Sequence, residues 1–179
     1  MEENQNEFLD ALYSGKVNPE LGDHMNLFGQ FIGEWEFDWY GYEPNQEKQH
    51  EKGEWIFSWV MEGRAIQDLW IIPERNRRNK PGLPNGEYGT TLRFFNKKAN
   101  VWNVVWAGPI KNRFNTFEAR QIEEGIIVME EIGDNEDKMT WIFSEIQKDS
   151  FRWKSIITAD DDKNWKLVQE MKVKRKQVK

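Results

Sequence analysis

The chain contains no cysteine. That excludes disulfides, a thiolate nucleophile and any cysteine metal site. Histidine is nearly absent too: only His24 and His50 occur, and neither has a second histidine two or four positions away. A zinc or haem site therefore has no visible ligand set. No apolar run approaches the roughly 18 residues that a membrane helix needs. The first residues, Met1-Glu2-Glu3-Asn4-Gln5-Asn6-Glu7, lack the basic start and apolar stretch of a signal peptide. A cytoplasmic location is the resulting expectation. A surplus of positive charge is missing as well, since the formal net charge is −6. Nucleic acid as the main partner is thereby disfavoured, because phosphate binding needs a basic face. Two local basic runs, Arg75–Lys80 and Lys172–Lys176, read as a solvated loop and the outer face of the last strand.

The usual catalytic signatures are also lacking. There is no Gly-x-Ser-x-Gly elbow, no phosphate-cradling glycine loop and no dinucleotide fingerprint. Asp160, Asp162 and Asn164 imitate the start of a calcium loop. Trp165 and Met171, however, occupy the positions where that loop requires Gly and Glu. No metal and no cofactor are expected.

What the chain has in abundance is tryptophan: 10 residues of 179, with 11 phenylalanines. Each buried aromatic removes about 150–250 Å² from water, so a hydrophobic fraction of 38% still permits a large core. The tryptophans recur at strand spacing: Trp35 and Trp39, Trp55 and Trp59, Trp102 and Trp106. Residues four apart in a strand share one face, so one face of a large antiparallel sheet is paved with flat rings.

The period-two pattern predicts ten strands: 34–42, 50–61, 64–72, 87–96, 101–107, 112–121, 126–132, 138–146, 150–158 and 165–175. Turns are expected at Pro44-Asn45, Glu62-Gly63, Asn96–Asn100, Glu123-Glu124-Gly125, Gly133-Asp134-Asn135 and Asp160–Asn164, and a long loop at Pro73–Gly86. Before them lie two helical stretches. The first, over 6–13, carries Phe8, Leu9, Leu12 and Tyr13. The second is capped by Asn18-Pro19, striped by Leu21, Met25, Phe28 and Ile32, and stopped at Gly33. The expectation is one domain over 1–179: a helical segment (1–33) flanking or plugging an up-and-down antiparallel β-barrel (34–176).

Gly33-Glu34-Trp35 after a short helix resembles the Gly-x-Trp opening of lipocalins and wider calycins. More specific are Glu62–Trp70, Tyr88–Phe95, Trp102–Pro109 and Asp160–Trp165. Together these are similar to an uncharacterised bacterial lipocalin-like family, over about residues 30–176. The late turn departs from that family's usual Asp-Gly-Gly pattern at Asp161 and Asp162. The resemblance implies a calycin barrel and no established reaction. It also implies a base in which Trp35, following Gly33, packs under a cation of the last strand: Lys172, Lys174 or Arg175.

Candidate site residues follow from the faces. Arg64, Asp68 and Trp70 share a face, Arg93 is a further interior cation, and one of Glu130 and Glu131 must face inward. Trp106, Trp141 and Trp153, with Trp55 and Trp59, would line a pocket or fill it. Ten strands enclose more space than eight, which favours a cavity. The first reading is a barrel binding a small apolar or aromatic molecule, its carboxylate or carbonyl head met by Arg64 or Arg93. The site would be Arg64, Asp68, Trp70, Arg93, Trp106, Glu131, Trp141 and Trp153, with entry near 73–86. The plainer reading of the charges is pairing across the barrel or at its rim. A second reading is a cofactor-independent cyclase, isomerase or decarboxylase, with Asp68 or Glu131 as acid–base and Arg64 as stabiliser. A third is a filled barrel with a structural or homodimerising role.

Overall fold

The computed structural model describes residues 6–42, 47–80, 86–133, 137–158 and 164–177. The expected turns at Pro44-Asn45, Asp134-Asn135 and Asp160–Lys163, and positions 81–85 of the long loop, lie outside the described residues.

The chain forms eleven strands: β1 (Tyr13–Ser14), β2 (Gly33–Gly41), β3 (Gln49–Val60), β4 (Ala65–Ile72), β5 (Glu87–Asn96), β6 (Val101–Gly108), β7 (Arg113–Glu123), β8 (Ile126–Glu131), β9 (Lys138–Gln147), β10 (Ser150–Thr158) and β11 (Trp165–Arg175). Each of β2 to β11 pairs antiparallel with its neighbours in sequence, and β11 pairs back onto β2 from Gln169↔Gly41 to Arg175↔Trp35. The result is a closed ten-stranded up-and-down barrel, which removes both sheet edges. The boundaries differ from the sequence expectation by one or two residues. One element was not expected: β1 adds Tyr13 and Ser14 to β3 opposite Val60 and Trp59.

Closure puts alternate side chains inside. Trp35 and Phe37 on β2, Trp55 and Phe57 on β3, Trp102, Val104 and Trp106 on β6, and Trp141 and Phe143 on β9 are all buried. Of the tryptophans, only Trp165 is largely exposed.

The N-terminal segment keeps the first expected helix and changes the second. Its first helix, α1 (Glu7–Leu12), buries nothing; Phe8 and Leu9 face solvent. The second stretch is a 3-10 helix (Pro19–Met25) leading into a single α turn, α2 (Asn26–Gly29). Asn18 caps it as expected, its Oδ1 accepting from Glu20 N at 3.0 Å. Gly22, at φ 59 and ψ −151, breaks the α-helical path. Half of the stripe survives the break: Met25 and Phe28 drop into the barrel with Phe31, which the stripe did not include, and form its plug, while Leu21 and Ile32 are only partly buried against it.

The plug is tied down twice. At the base, Trp35 Nε1 donates to Phe31 O at 2.6 Å, and the Arg175 guanidinium lies 4.0 Å from the Trp35 ring centre. Of the three candidate cations it is therefore Arg175 that covers Trp35. Its Nη1 also donates to Ile32 O and its Nη2 to Gln30 O. Gly33, at φ 122, leaves room for this: an added Cβ would lie 2.9 Å from Arg175 Nη1. At the β3–β4 turn, Gly63 N donates to Ser14 Oγ at 2.9 Å and Asn18 N to Gly63 O at 3.0 Å.

Gly63 sits at φ 71, and a Cβ there would lie 2.2 Å from Lys16 O and 2.6 Å from Asn18 N. Gly63→Ala should therefore destabilise by about 2–3 kcal/mol, from the left-handed backbone plus the clash with main-chain atoms. Urea denaturation checks this. A loss under about 0.5 kcal/mol, the range of an ordinary surface change, would show that the segment is not clamped at this turn.

Candidate functional site

The barrel interior has two tiers. In the lower tier, the plug's Phe28 and Phe31 interlock with Trp102, Phe143, Phe151 and Trp35 at ring-centre distances of 4.8–6.4 Å. Edge-on and tilted contacts of this kind add about 0.5–1.5 kcal/mol per pair beyond area burial. This tier is packed solid.

The upper tier is open. A cavity of about 410 Å³ is lined by Trp55, Trp70, Trp106, Trp141 and Trp153, with Trp39, Thr91, Met139 and Met171 between them. The rings form a closed circuit of centre-to-centre contacts: Trp55 to Trp153 at 6.4 Å, Trp153 to Trp141 at 5.5 Å, and Trp141 to Trp106 at 6.0 Å. The circuit continues from Trp106 to Trp70 at 6.0 Å, Trp70 to Phe37 at 5.4 Å and Phe37 back to Trp55 at 6.4 Å, Phe37 closing it without lining the cavity. Four of the expected site residues, Trp70, Trp106, Trp141 and Trp153, meet in this wall. Some indole N–H groups are committed: Trp39 to Gln169 Oε1 at 2.7 Å and Trp70 to Met171 Sδ at 3.2 Å. Those of Trp55, Trp141 and Trp153 have no acceptor among the described residues.

Asp68 and Arg93 do not line the cavity. They sit one inward position deeper, below Trp70 on β4 and Thr91 on β5, and form a fully buried ion pair. The Arg93 guanidinium lies between Phe28 at 5.2 Å and Phe57 at 5.5 Å. The pairing with Asp68 and the rings on either side place Arg93 beneath the cavity and outside its lining, with its Nε left without an acceptor among the described residues.

Arg64 is corrected further. It precedes β4, where the β3–β4 turn swings its side chain out of the barrel. There it is exposed and paired with Glu20 at 2.7 Å and Glu62 at 3.6 Å. Period-two reasoning fails at this residue because the turn, not the strand, sets its direction. Its contact with Arg64 holds the Glu20 carboxyl below the ordinary value.

The two adjacent glutamates divide as their alternation requires. Glu130 pairs outside with Arg120 at 2.6 Å. Glu131 is half-buried, accepting from Asn115 Nδ2 at 2.7 Å and Met139 N at 3.4 Å. His24 stacks on Phe95 at 4.2 Å and His50 bonds Asp38 at 2.8 Å. No cluster of metal-ligating side chains occurs among the described residues.

Several mouth residues were not anticipated. Glu51, Glu87, Lys111, Arg113 and Gln169 all face the cavity at the end opposite the plug, as do Pro73 and Gly86 at the ends of the long loop. The basic run at 75–78 is structural. Arg75 bonds Glu54 at 2.6 Å, Arg77 bonds Glu51 at 2.5 Å, and Arg78 donates to the carbonyls of Ile72 and Glu87. Burial raises the Glu54 carboxyl, but its hydrogen bonds from Arg75 outweigh that and leave it below the ordinary range. Nothing in the local sequence marks these residues, because the mouth is assembled from the ends of strands far apart in the chain.

No family model and no curated protein sequence matches this chain. Solved structures do. The S-type phycobiliprotein lyase CpeS from Guillardia theta superposes with a TM-score of 0.56 at 11% identity, over 86% of this chain and 93% of that one. Rv2717c from M. tuberculosis gives 0.58 at 10% identity, over 90% of this chain and all (100%) of the other. At these identities the likeness is one of fold. No helix among the described residues is long and apolar enough to cross a membrane.

The buried pair generates a stability prediction. Asp68→Ala should cost about 3–5 kcal/mol, because Arg93 would remain charged and unpaired. The double change Asp68→Leu with Arg93→Met should recover most of that loss. Denaturant midpoints of the three proteins check this, and a double variant as unstable as the single one refutes it.

Proposed function

We propose that this barrel binds a small, flat, apolar or aromatic molecule in its upper cavity. The observation that carries the reading is a space of about 410 Å³ walled by Trp55, Trp70, Trp106, Trp141 and Trp153, four of whose ring contacts link them in a continuous run. Ligand pockets run from about 300 to 1,000 Å³ and are walled mainly by apolar and aromatic side chains. Large rings held edge-on to one another present faces on which a planar guest stacks. Their rigidity keeps the ordering cost of binding low.

The three indole N–H groups without acceptors support a guest carrying a carbonyl or similar acceptor. A buried donor left unpaired costs about 1–3 kcal/mol. A ligand acceptor reached by a small ring rotation would recover part of it. The phycobiliprotein lyase, at 11% identity, lends this chain a shape, not a substrate.

Two features weigh binding above catalysis. Asp68 is consumed by Arg93, and Glu131 is held by Asn115. General acid–base work needs a carboxylate within reach of the reacting proton, and neither expected candidate is among the cavity-lining residues. The open upper tier also weighs against a barrel filled solid.

The test uses a neutral probe, N-phenylnaphthylamine. Saturable binding with energy transfer from tryptophan is expected. Trp106→Leu should weaken it about 10-fold, through lost ring contact and apolar area. No saturable binding of this or other aromatic probes, with no small molecule retained in native mass spectrometry of protein from its own host, would end the reading.

A further inference from the structure

Resting on that binding reading, we infer that the guest is an anion: a planar aromatic carboxylate, its rings among the tryptophans and its carboxylate at the mouth against Arg113 and Lys111. The site differs from the interior arginines suggested by the strand pattern, both of which are already engaged.

The argument starts from arginine pairing. Of the nine arginines in the chain, seven bond a carboxylate and Arg78 bonds two backbone carbonyls. Arg113 does neither among the described residues, yet it lines the cavity. Lys111, two residues before it, lines the same mouth and has no carboxylate partner either among the described residues. A chain with 31 acidic residues has ample means to neutralise them.

The carboxylates that share the mouth are spoken for. Glu51 is bonded to Arg77 at 2.5 Å. Glu87, almost fully buried, accepts from the main chain: Oε1 from Tyr88 N and Ile110 N at 3.0 Å, and Oε2 from Lys111 N at 3.1 Å. These bonds do more than satisfy Glu87. They pin the backbone of the β6–β7 turn, so the stems of Lys111 and Arg113 leave from a fixed position instead of a drifting loop. Pre-positioned donors lose less freedom on binding. The guanidinium fork matches a carboxylate's two oxygens, and the neighbouring ammonium adds a point charge. With a net charge of −6 the molecule as a whole repels anions. A local cationic rim is then what admits one to an aromatic cup.

Two fluorescent probes separate this inference from the reading beneath it: pyrenebutyrate and pyrenebutanol, which differ only in head group. The expected result is tighter binding of the acid. Arg113→Gln should weaken the acid about 10-fold, the worth of one charge-assisted bond, while changing the alcohol less than about 2-fold. Arg113→Glu should weaken the acid further, and added salt should narrow the gap between the two probes. Arg113 is exposed, so these variants should fold; unchanged circular dichroism confirms it. Equal binding of both probes, unmoved by Arg113→Gln and Lys111→Gln, overturns the anion inference and leaves the cavity reading standing. Binding of neither probe overturns the cavity reading itself.

Discussion

The ladder between β2 and β11 is the constraint on which everything inside this protein depends. Seven residue pairs, from Gln169↔Gly41 to Arg175↔Trp35, turn an open ten-stranded sheet into a closed wall. In an open sheet one face could remain wet. In a barrel every second side chain on every strand is committed to one enclosed volume. The tryptophans make that volume apolar, and Arg175 over Trp35 locks the seam where it meets the plug.

Enclosure alone would not distinguish a core from a container. The division comes from the N-terminal segment. Met25, Phe28 and Phe31 enter from one end and fill the lower half, where the rings interlock. The Arg93–Asp68 pair lies at the boundary, facing the plug's Phe28 on one side and sitting just below the cavity-lining Thr91 on the other. Buried ion pairs contribute little net stability compared with apolar residues of similar size. What this one adds is directional: it fixes where the plug ring stops and where open space begins. Above it no element among the described residues enters, and the rings are carried on strands that the closed wall holds apart.

Strand periodicity made the wall legible from the amino-acid order. Ten strands and the inward set of Trp55, Trp70, Trp106, Trp141 and Trp153 follow from alternation, because a strand offers a side chain only two directions; Trp59, expected with them, does not line the cavity and lies half-buried beside Gly29 of the plug segment. Alternation also required one of Glu130 and Glu131 to face inward, which proved to be Glu131. Arg64 escaped because the turn preceding β4 sets its direction, and Arg93 because alternation alone did not decide which face of its strand turns inward or whether it would pair across strands or meet a ligand. The mouth escaped for a different reason. Glu87, Lys111 and Arg113 acquire meaning only through register, when the end of β6 and the start of β7 come beside the start of β5. The second helix misled for a local reason: its apolar stripe is real, but Gly22 breaks the geometry the stripe implies.

The seam has a temporal consequence. Trp35 and the strand that covers it are separated by most of the chain, so a ribosome must deliver nearly all of the protein before the wall can close. Until then β2 and the growing last strand are bare edges, and a tryptophan-rich face lies open to water and to other nascent chains. Long-range closure of this kind is slow compared with hairpin formation. The interval is one in which aggregation competes with folding. Shelter for this chain is therefore needed from the first exposed tryptophan strands until β11 has paired with β2.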